Sequence, residues 1–386
     1  MENVKRYIYL AIGLISIIII TIFLIMPNFQ TEEFSQDVID DIIEGVTTTT
    51  LNEQNTNEEV SDDKAGDEEA LAEVITIQDE ALVISNEEKL EIEIILKNNK
   101  PQKDINNFNT YLLIGSDERS GDSIQTRGKV QGKRADVIIL GLVDKITKET
   151  TLLSFPRDLL ILNSCTEKLE RLNASFSKNN CGNGPENLAA AIYSISGISV
   201  NHFASFDFEG FEEIIDSVGG IEICVDQTQK EGYSFELQKG CQITNGLTTL
   251  NWVVSRSTEV LVGEKSLDQF GNDNSEWELM SGVSDLTRIK RQQYVVIQLI
   301  NKVKNFESIN DLNKLIKALE STFVIDENLT ISKAAEILWG FREFDLSKVN
   351  KITTPVDYLT LRDGRQVLVL NQNLYEYLVK NSIINN

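Results

Sequence analysis

The chain has 386 residues, 41% of them hydrophobic, and its 36 Lys and Arg against 60 Asp and Glu leave a net charge of −24. The hydrophobic share excludes collagen-like, coiled-coil and wholly disordered chains, and the charge argues against a nucleic-acid binder, which needs a basic face to release counterions from phosphates. Four Cys and one His, with no HExxH, CxxC, GxxxxGK[ST] or GxGxxG, remove most zinc chemistry and both common nucleotide cradles.

Tyr7 to Met26 (YIYLAIGLISIIIITIFLIM) carries no charge. At about 1.5 Å rise per residue it reaches about 30 Å, the thickness of a bilayer's hydrocarbon core. It exceeds the apolar core of a signal peptide and exits through Met26-Pro27-Asn28-Phe29, with no A-x-A cleavage site. The pattern predicts one uncleaved transmembrane helix over 7–26 behind a cytoplasmic tail, 1–6. Lys5 and Arg6 stay in the cytoplasm, so the remainder lies outside a cell membrane crossed once.

Residues 31–95 hold 21 acidic residues against Lys64 and Lys89. Low hydrophobicity and self-repelling charge make 27–104 an acidic, mostly disordered tether. The rest is nearly balanced in charge, and 105–386 is predicted to be a single folded domain.

Asn109–Gly115, Asp136–Val143 and Thr150–Phe155 are apolar runs of strand length, the last two joined by a polar loop of hairpin length. Pro185–Ser196 reads as a helix with Pro in its first turn, stopped by Gly197. His202–Phe208 is a strand, Glu209–Ser217 a helix stopped by Gly219-Gly220, and Ile221–Val225 a strand. Arg288–Val303 is an amphipathic helix, with Ile289, Val296, Leu299, Ile300 and Val303 on its buried face. The alternation predicts an α/β domain whose mixed central sheet has helices on both sides. His202, the only His, lies in a strand and is read as structural.

Charged clusters flank the strands. The first ends in Gly115-Ser116-Asp117-Glu118-Arg119, the second is preceded by Lys133-Arg134-Ala135-Asp136, and the third ends in Pro156-Arg157-Asp158. Ser255-Arg256-Ser257, Asp285-Leu286-Thr287-Arg288 and Arg291-Gln292-Gln293 follow. Arg288 and Gln292 share a helix face at i, i+4, and Asp285 suits the cap of that helix. Guanidinium forks bind phosphate oxygens in pairs, and carboxylates hold a divalent cation that bridges such oxygens. Surface ion pairs are the plainer reading of any one of these Arg.

The ordered set resembles the LytR-CpsA-Psr family of bacterial cell-envelope phosphotransferases. YLLIGSDER, GKRADVIILGLVDKITKETTLLSFPRDLLI, RLNASF, CGNGPENLAAAIYSISGISVNHFASFDFEGFEEIIDSVGGIEICV, KGCQITNGLTTLNWVVSRS and SDLTRIKRQQ carry the resemblance. The four Cys positions and the Trp277-containing insert look most like the actinobacterial branch. The resemblance implies transfer of a glycan phosphate from a polyprenyl-pyrophosphate carrier to a peptidoglycan hydroxyl. Asp117 and Asp136 match the positions that hold Mg²⁺ or Mn²⁺. Arg134, Arg157, Arg256, Arg288 and Gln292 match positions around the pyrophosphate, and Arg171 stands where Lys is usual. Val254 stands where the family usually has Arg, so that contact is absent or comes from Arg119 or Arg127.

Such chemistry needs positioning and charge neutralisation more than a reactive side chain. Arg157 and Arg256 are expected to stabilise the transition state, and Asp117 is the first choice of base. The apolar face of the sheet and helix 185–196 would make either a lipid channel or plain core. The partners expected are the lipid-linked glycan, peptidoglycan and the membrane. A non-catalytic envelope protein that binds polyprenyl-linked glycans and a metal-dependent pyrophosphatase on the same lipid stay open. Of the three pairings four Cys allow, Cys165–Cys181 with Cys224–Cys241 is predicted, because these sequence neighbours close loops of similar size in an oxidising exterior.

Overall fold

A computed structural model describes residues 30–43, 86–101, 103–116, 134–147, 149–163, 165–166, 168–177, 181–281, 285–306, 315, 323–327 and 346–384. In chain order the elements are β1 (Gln30–Glu32), α1 (Asn86–Asn98), β2 (Phe108–Ser116), β3 (Ala135–Asp144), β4 (Thr150–Ser154), β5 (Leu160–Leu162), β6 (Leu169–Arg171), α2 (Gly184–Ser196), β7 (His202–Phe206), α3 (Phe208–Ser217) and β8 (Ile221–Val225). There follow β9 (Gln229–Glu231), β10 (Phe235–Leu237), β11 (Gly240–Thr244), α4 (Gly246–Val254), β12 (Glu259–Val262), β13 (Glu276–Leu279), α5 (Asp285–Lys304), β14 (Phe323–Asp326), β15 (Val349–Thr353), β16 (Val356–Thr360), β17 (Gln366–Leu370) and α6 (Leu374–Lys380).

Seven strands form the central mixed sheet in the order β1-β14-β7-β2-β3-β4-β15. β2, β3 and β4 are antiparallel neighbours, while β7 runs parallel to β2 and β15 parallel to β4. Because side chains alternate across a strand, each central strand supplies both faces. Leu112, Ile114, Ile138, Leu140 and Leu142 join one core with Leu188 and Ile192 of α2 and Leu374 and Leu378 of α6. Leu113, Val137, Ile139 and Leu152 meet Val296 and Ile297 of α5 on the other face. The expected sheet with helices on both sides is therefore present. Leu188 and Ile192 are fully buried, so at these positions the α2 face is plain core.

Helix α2 starts with a reciprocal capping box. The Asn183 side chain accepts from the Glu186 amide at 3.0 Å, and Glu186 Oε2 accepts from the Asn183 amide at 3.0 Å. It stops at Gly197, at φ +70°, where a Cβ would lie 2.6 Å from the Lys103 carbonyl oxygen. Helix α5 departs from the one-sided reading. Val295 and Val303 are buried among α3, α4 and β8, while Val296 and Ile297 face the central sheet. The helix is wedged between two cores, so a single apolar stripe does not describe it.

Parts of the segment read as tether belong to the fold. β1 pairs with β14 in parallel, Gln30 against Val324. Phe34, Ile39 and Ile42 are buried in the main core, and the Phe34 ring lies 5.1 Å from that of Phe203. Ser35 donates its amide to Glu186 Oε1 at 2.9 Å. Helix α1 buries Ile92 against Leu160, Leu361 and Val369, and Glu88 accepts the Arg362 amide at 2.6 Å. A few well-placed apolar side chains outweigh the acidic composition here. The stretch 44–85 and the predicted span 7–26 lie outside the described residues. Among the described residues no helix is long and apolar enough to cross a membrane.

Both expected disulfides are present, Cys165–Cys181 and Cys224–Cys241. The second bridges directly paired positions of β8 and β11. Each closes a loop of 16 or 17 residues, for which chain entropy gives about 3 kcal/mol. Mass mapping of the unreduced protein should recover these two linked peptides and none joining Cys181 to Cys224. Replacing Cys165 and Cys181 together by Ala should lower stability by a similar amount in denaturant unfolding.

Candidate functional site

Sheet register gathers the charged clusters at one edge. Gly115 pairs with Val137, and after a bulge Ser116 pairs with Ala135, so β2 ends where β3 begins. A Cβ on Gly115 would lie 2.9 Å from the Val137 side chain, so only glycine allows this close crossing. On the other side of β3, Ile139 pairs with Ser154, and the Phe155 amide donates to the Ile138 carbonyl at 2.9 Å. Counting on two residues sets Arg157 opposite Asp136.

The two side chains meet there: Arg157 Nη1 donates to Asp136 Oδ1. Arg157 Nε lies 3.6 Å from Asp158 Oδ2, and Asp158 Oδ1 lies 3.4 Å from Arg171 Nε. Arg171 also reaches the Gln366 carbonyl at 3.4 Å. The result is a chain of alternating charge, Asp136–Arg157–Asp158–Arg171. Arg288 enters from the first turns of α5 and is 8% exposed. Burial, then the like charge of Arg157, pulls its guanidinium below the ordinary Arg value, while Asp136 and Asp158 oppose the shift. It stays a cation near neutral pH. Gln292, one turn on, is half-buried.

Gln293 fixes this helix over the edge. Its side chain donates to Ser154 Oγ at 2.8 Å and to the Ile352 carbonyl at 3.1 Å. The N-terminal end of α5 thus overlies the ends of β4 and β15, and helix N-termini favour anions.

The expected residues are placed as follows. Asp136, Arg157, Arg171 and Arg288 come together. Arg134 is half-buried directly before β3. Arg256 is exposed in the turn after α4, and Val254 ends that helix. Asp117, Arg119 and Arg127 lie outside the described residues, as does the side chain of Asp285. Arg291, clustered with the site in sequence, is structural: it donates to the Trp252 carbonyl at 2.7 Å and to Thr258 Oγ1 at 3.0 Å. Burial pushes its pKa down to about 10. His202 is structural in its contacts as well, its Nδ1 3.2 Å from Asp326 Oδ2 and its ring 5.5 Å from Tyr111. Sequence reasoning gave no role to Asp158 or Gln293. In the sequence Asp158 stands out only by its place beside Arg157, and Gln293 only by its place after Arg291 and Gln292.

The guanidinium groups of Arg157, Arg171 and Arg288 thus gather at this edge near the start of α5, interleaved with the carboxylates of Asp136 and Asp158. The chain belongs to the LytR_cpsA_psr family, whose pattern matches residues 74–264 and 277–383. It is similar to the probable cell wall biosynthesis protein LcpB of Corynebacterium glutamicum, 31% identical over 155 residues, 38% of this chain and 36% of that protein. It is similar also to the polyisoprenyl-teichoic acid–peptidoglycan teichoic acid transferase TagU of Bacillus licheniformis, 27% identical over 243 residues, 62% of this chain and 67% of that one. The chain thus spans about a third of the first relative's length and about two thirds of the second's. The LytR-Csp2A-Psr enzyme from Actinomyces oris shares the fold with a TM-score of 0.54 at 24% identity, over 73% of this chain and 96% of that one. Bacillus subtilis TagV does so at 0.54 and 19%, over 72% and 96%. The unmatched residues 265–276 fall in the turn between β12 and β13 and at the start of β13.

Proposed function

We propose that this chain transfers a glycan phosphate from a polyprenyl-pyrophosphate carrier to a hydroxyl of peptidoglycan. The observation that carries this reading is the Asp136–Arg157–Asp158–Arg171 chain beside buried Arg288 at one sheet edge. Arg157 and Arg288 neutralise the pyrophosphate and the leaving polyprenyl phosphate, where charge develops. Asp158 stands between Arg157 and Arg171, 3.6 Å and 3.4 Å from their Nε atoms, and offsets their mutual repulsion. Arg134, Arg256 and Gln292 add contacts from the rim, and Asp117 takes the proton of the attacking hydroxyl.

Asp136, the one of the two expected donors among the described residues, suits a divalent cation shared with substrate. Asp136 presents a carboxylate at the edge with Oδ1 engaged by Arg157, and Mg²⁺ is commonly held by one or two carboxylates with water and phosphate oxygens. Asp136 and Asp117 would hold Mg²⁺ or Mn²⁺, which would supply charge neutralisation at the phosphates. Calorimetry should show weak Mn²⁺ binding that tightens when a pyrophosphate lipid analogue is present, with the gain lost in Asp136→Ala. An unchanged Mn²⁺ affinity with the analogue would remove the cation from the scheme.

The apolar span 7–26 anchors the chain in the cell membrane with its N-terminus in the cytoplasm and the domain outside, a side that suits two disulfides. The deciding experiment incubates the protein with lipid-linked glycan and Mg²⁺, with and without peptidoglycan. Glycan bound to peptidoglycan is the expected product. Free phosphorylated glycan would mean pyrophosphatase action, and unchanged lipid would mean binding alone.

A further inference from the structure

Strand β1 connects the predicted membrane span to the site by a short path. Gln30 pairs with Val324, Val324 with Ser205, Ser205 with Ile114, and Ile114 with Ile138. This row lies at the end of the sheet where β2 stops and β3 starts, two residues from Asp136. Paired Cα atoms stand about 5 Å apart, so four steps put Gln30 within about 20 Å of Ile138 whatever the twist of the sheet. Asp136 adds about 7 Å. From Met26 to Gln30 is four residues, at most about 14 Å when fully extended. The carboxylate at the site is therefore within about 40 Å of the end of the apolar span, and the chain enters the sheet from the site's own edge. A flexible tether over 27–104 would let the domain wander over a root-mean-square distance of about 50 Å with no preferred face.

The entry is firmly held. Behind β1, Phe34 is 4% exposed, Ile39 2% and Ile42 6%. Asn183 Nδ2 donates to the Glu33 carbonyl at 2.5 Å. The opposite end of the sheet, where β3 ends at Asp144, lies eight residues up the strand from Asp136, about 27 Å away, and Ile146 stands in the turn just beyond it. Charge agrees with this orientation. In a chain of net charge −24, the edge with Arg134, Arg157, Arg171 and Arg288 is the one suited to face phosphate headgroups.

We propose that β1 is a strap that seats the site edge of the sheet against the headgroup layer of the bilayer, with the turn after β3 pointing away. This rests on the reading of 7–26 as a membrane anchor. The acidic residues 44–85 then form an insertion between two segments packed in the domain, and do not set the distance from anchor to site.

The test uses the full chain in liposomes that contain a nitroxide-headgroup lipid. The native cysteines are all in disulfides, so an added cysteine takes a fluorophore selectively. One label goes on Glu209→Cys, exposed three residues past the site end of β7, and one on Ile146→Cys, 90% exposed. The expected result is severalfold stronger quenching at 209 than at 146. A 12-residue Gly-Ser insertion between Phe29 and Gln30, which adds about 20 Å of reach, should erase that difference while leaving thermal unfolding unchanged. Equal quenching in the unmodified protein, or stronger quenching at 146, overturns the orientation. Flotation with the liposomes separates the two readings. Protein that fails to float overturns the anchor and the strap together, whereas floating protein with equal quenching overturns the strap alone.

Discussion

Arg157→Ala should lower glycan transfer about 10²-fold or more, the cost of removing a preorganised donor from developing phosphate charge. Arg157 is the hinge of the charged chain, bound to Asp136 on one side and facing Asp158 at 3.6 Å on the other. On the proposed reading its loss would remove a cation from the phosphates and leave two carboxylates without that partner beside them. Arg157→Lys should recover little, because an ammonium cannot hold two carboxylates and a phosphate with one planar fork. Arg256→Ala should cost a similar factor with less effect on stability, since Arg256 makes no ion pair among the described residues. Initial rates in the peptidoglycan-linking assay, read beside thermal unfolding, separate chemistry from folding. A wild-type rate in folded Arg157→Ala would reduce the cluster to surface ion pairs.

The second large effect is on stability. Phe34→Ala should destabilise the protein by about 3–5 kcal/mol, the usual range for deleting a buried phenyl ring. The ring is 4% exposed and packs on Phe203, at the centre of the main core. A residue on a solvated tether would change stability by less than about 0.5 kcal/mol. Urea unfolding followed by tryptophan fluorescence decides between them. A shift within that smaller range would place 30–43 outside the cooperative unit.

The strands of the central hairpins were legible because Asn109–Gly115 and Asp136–Val143 are apolar runs bounded by charge. Helix α2 was legible because Pro185 and Gly197 mark its ends. Residues 30–43 were not, because composition averages over a window and five apolar residues vanish among many acidic ones. The partner of β1 is also nearly 300 residues away in sequence. At the site, the clusters could be listed but their pairing could not. Arg134 is the sequence neighbour of Asp136, yet Arg157 takes its carboxylate, because antiparallel register and not sequence distance decides who stands opposite. Gln293 shows the same limit: its role depends on one hydroxyl and one carbonyl group from strands far along the chain.

The crossing at Gly115 has a consequence for how this protein tolerates change. Its constraint is one of shape, since a single added carbon would push β2 off β3 where Asp136 and Arg157 are aligned. Selection would then guard a hydrogen atom as strictly as a guanidinium. A survey of variants would score Gly115 beside Arg157, on grounds of shape alone.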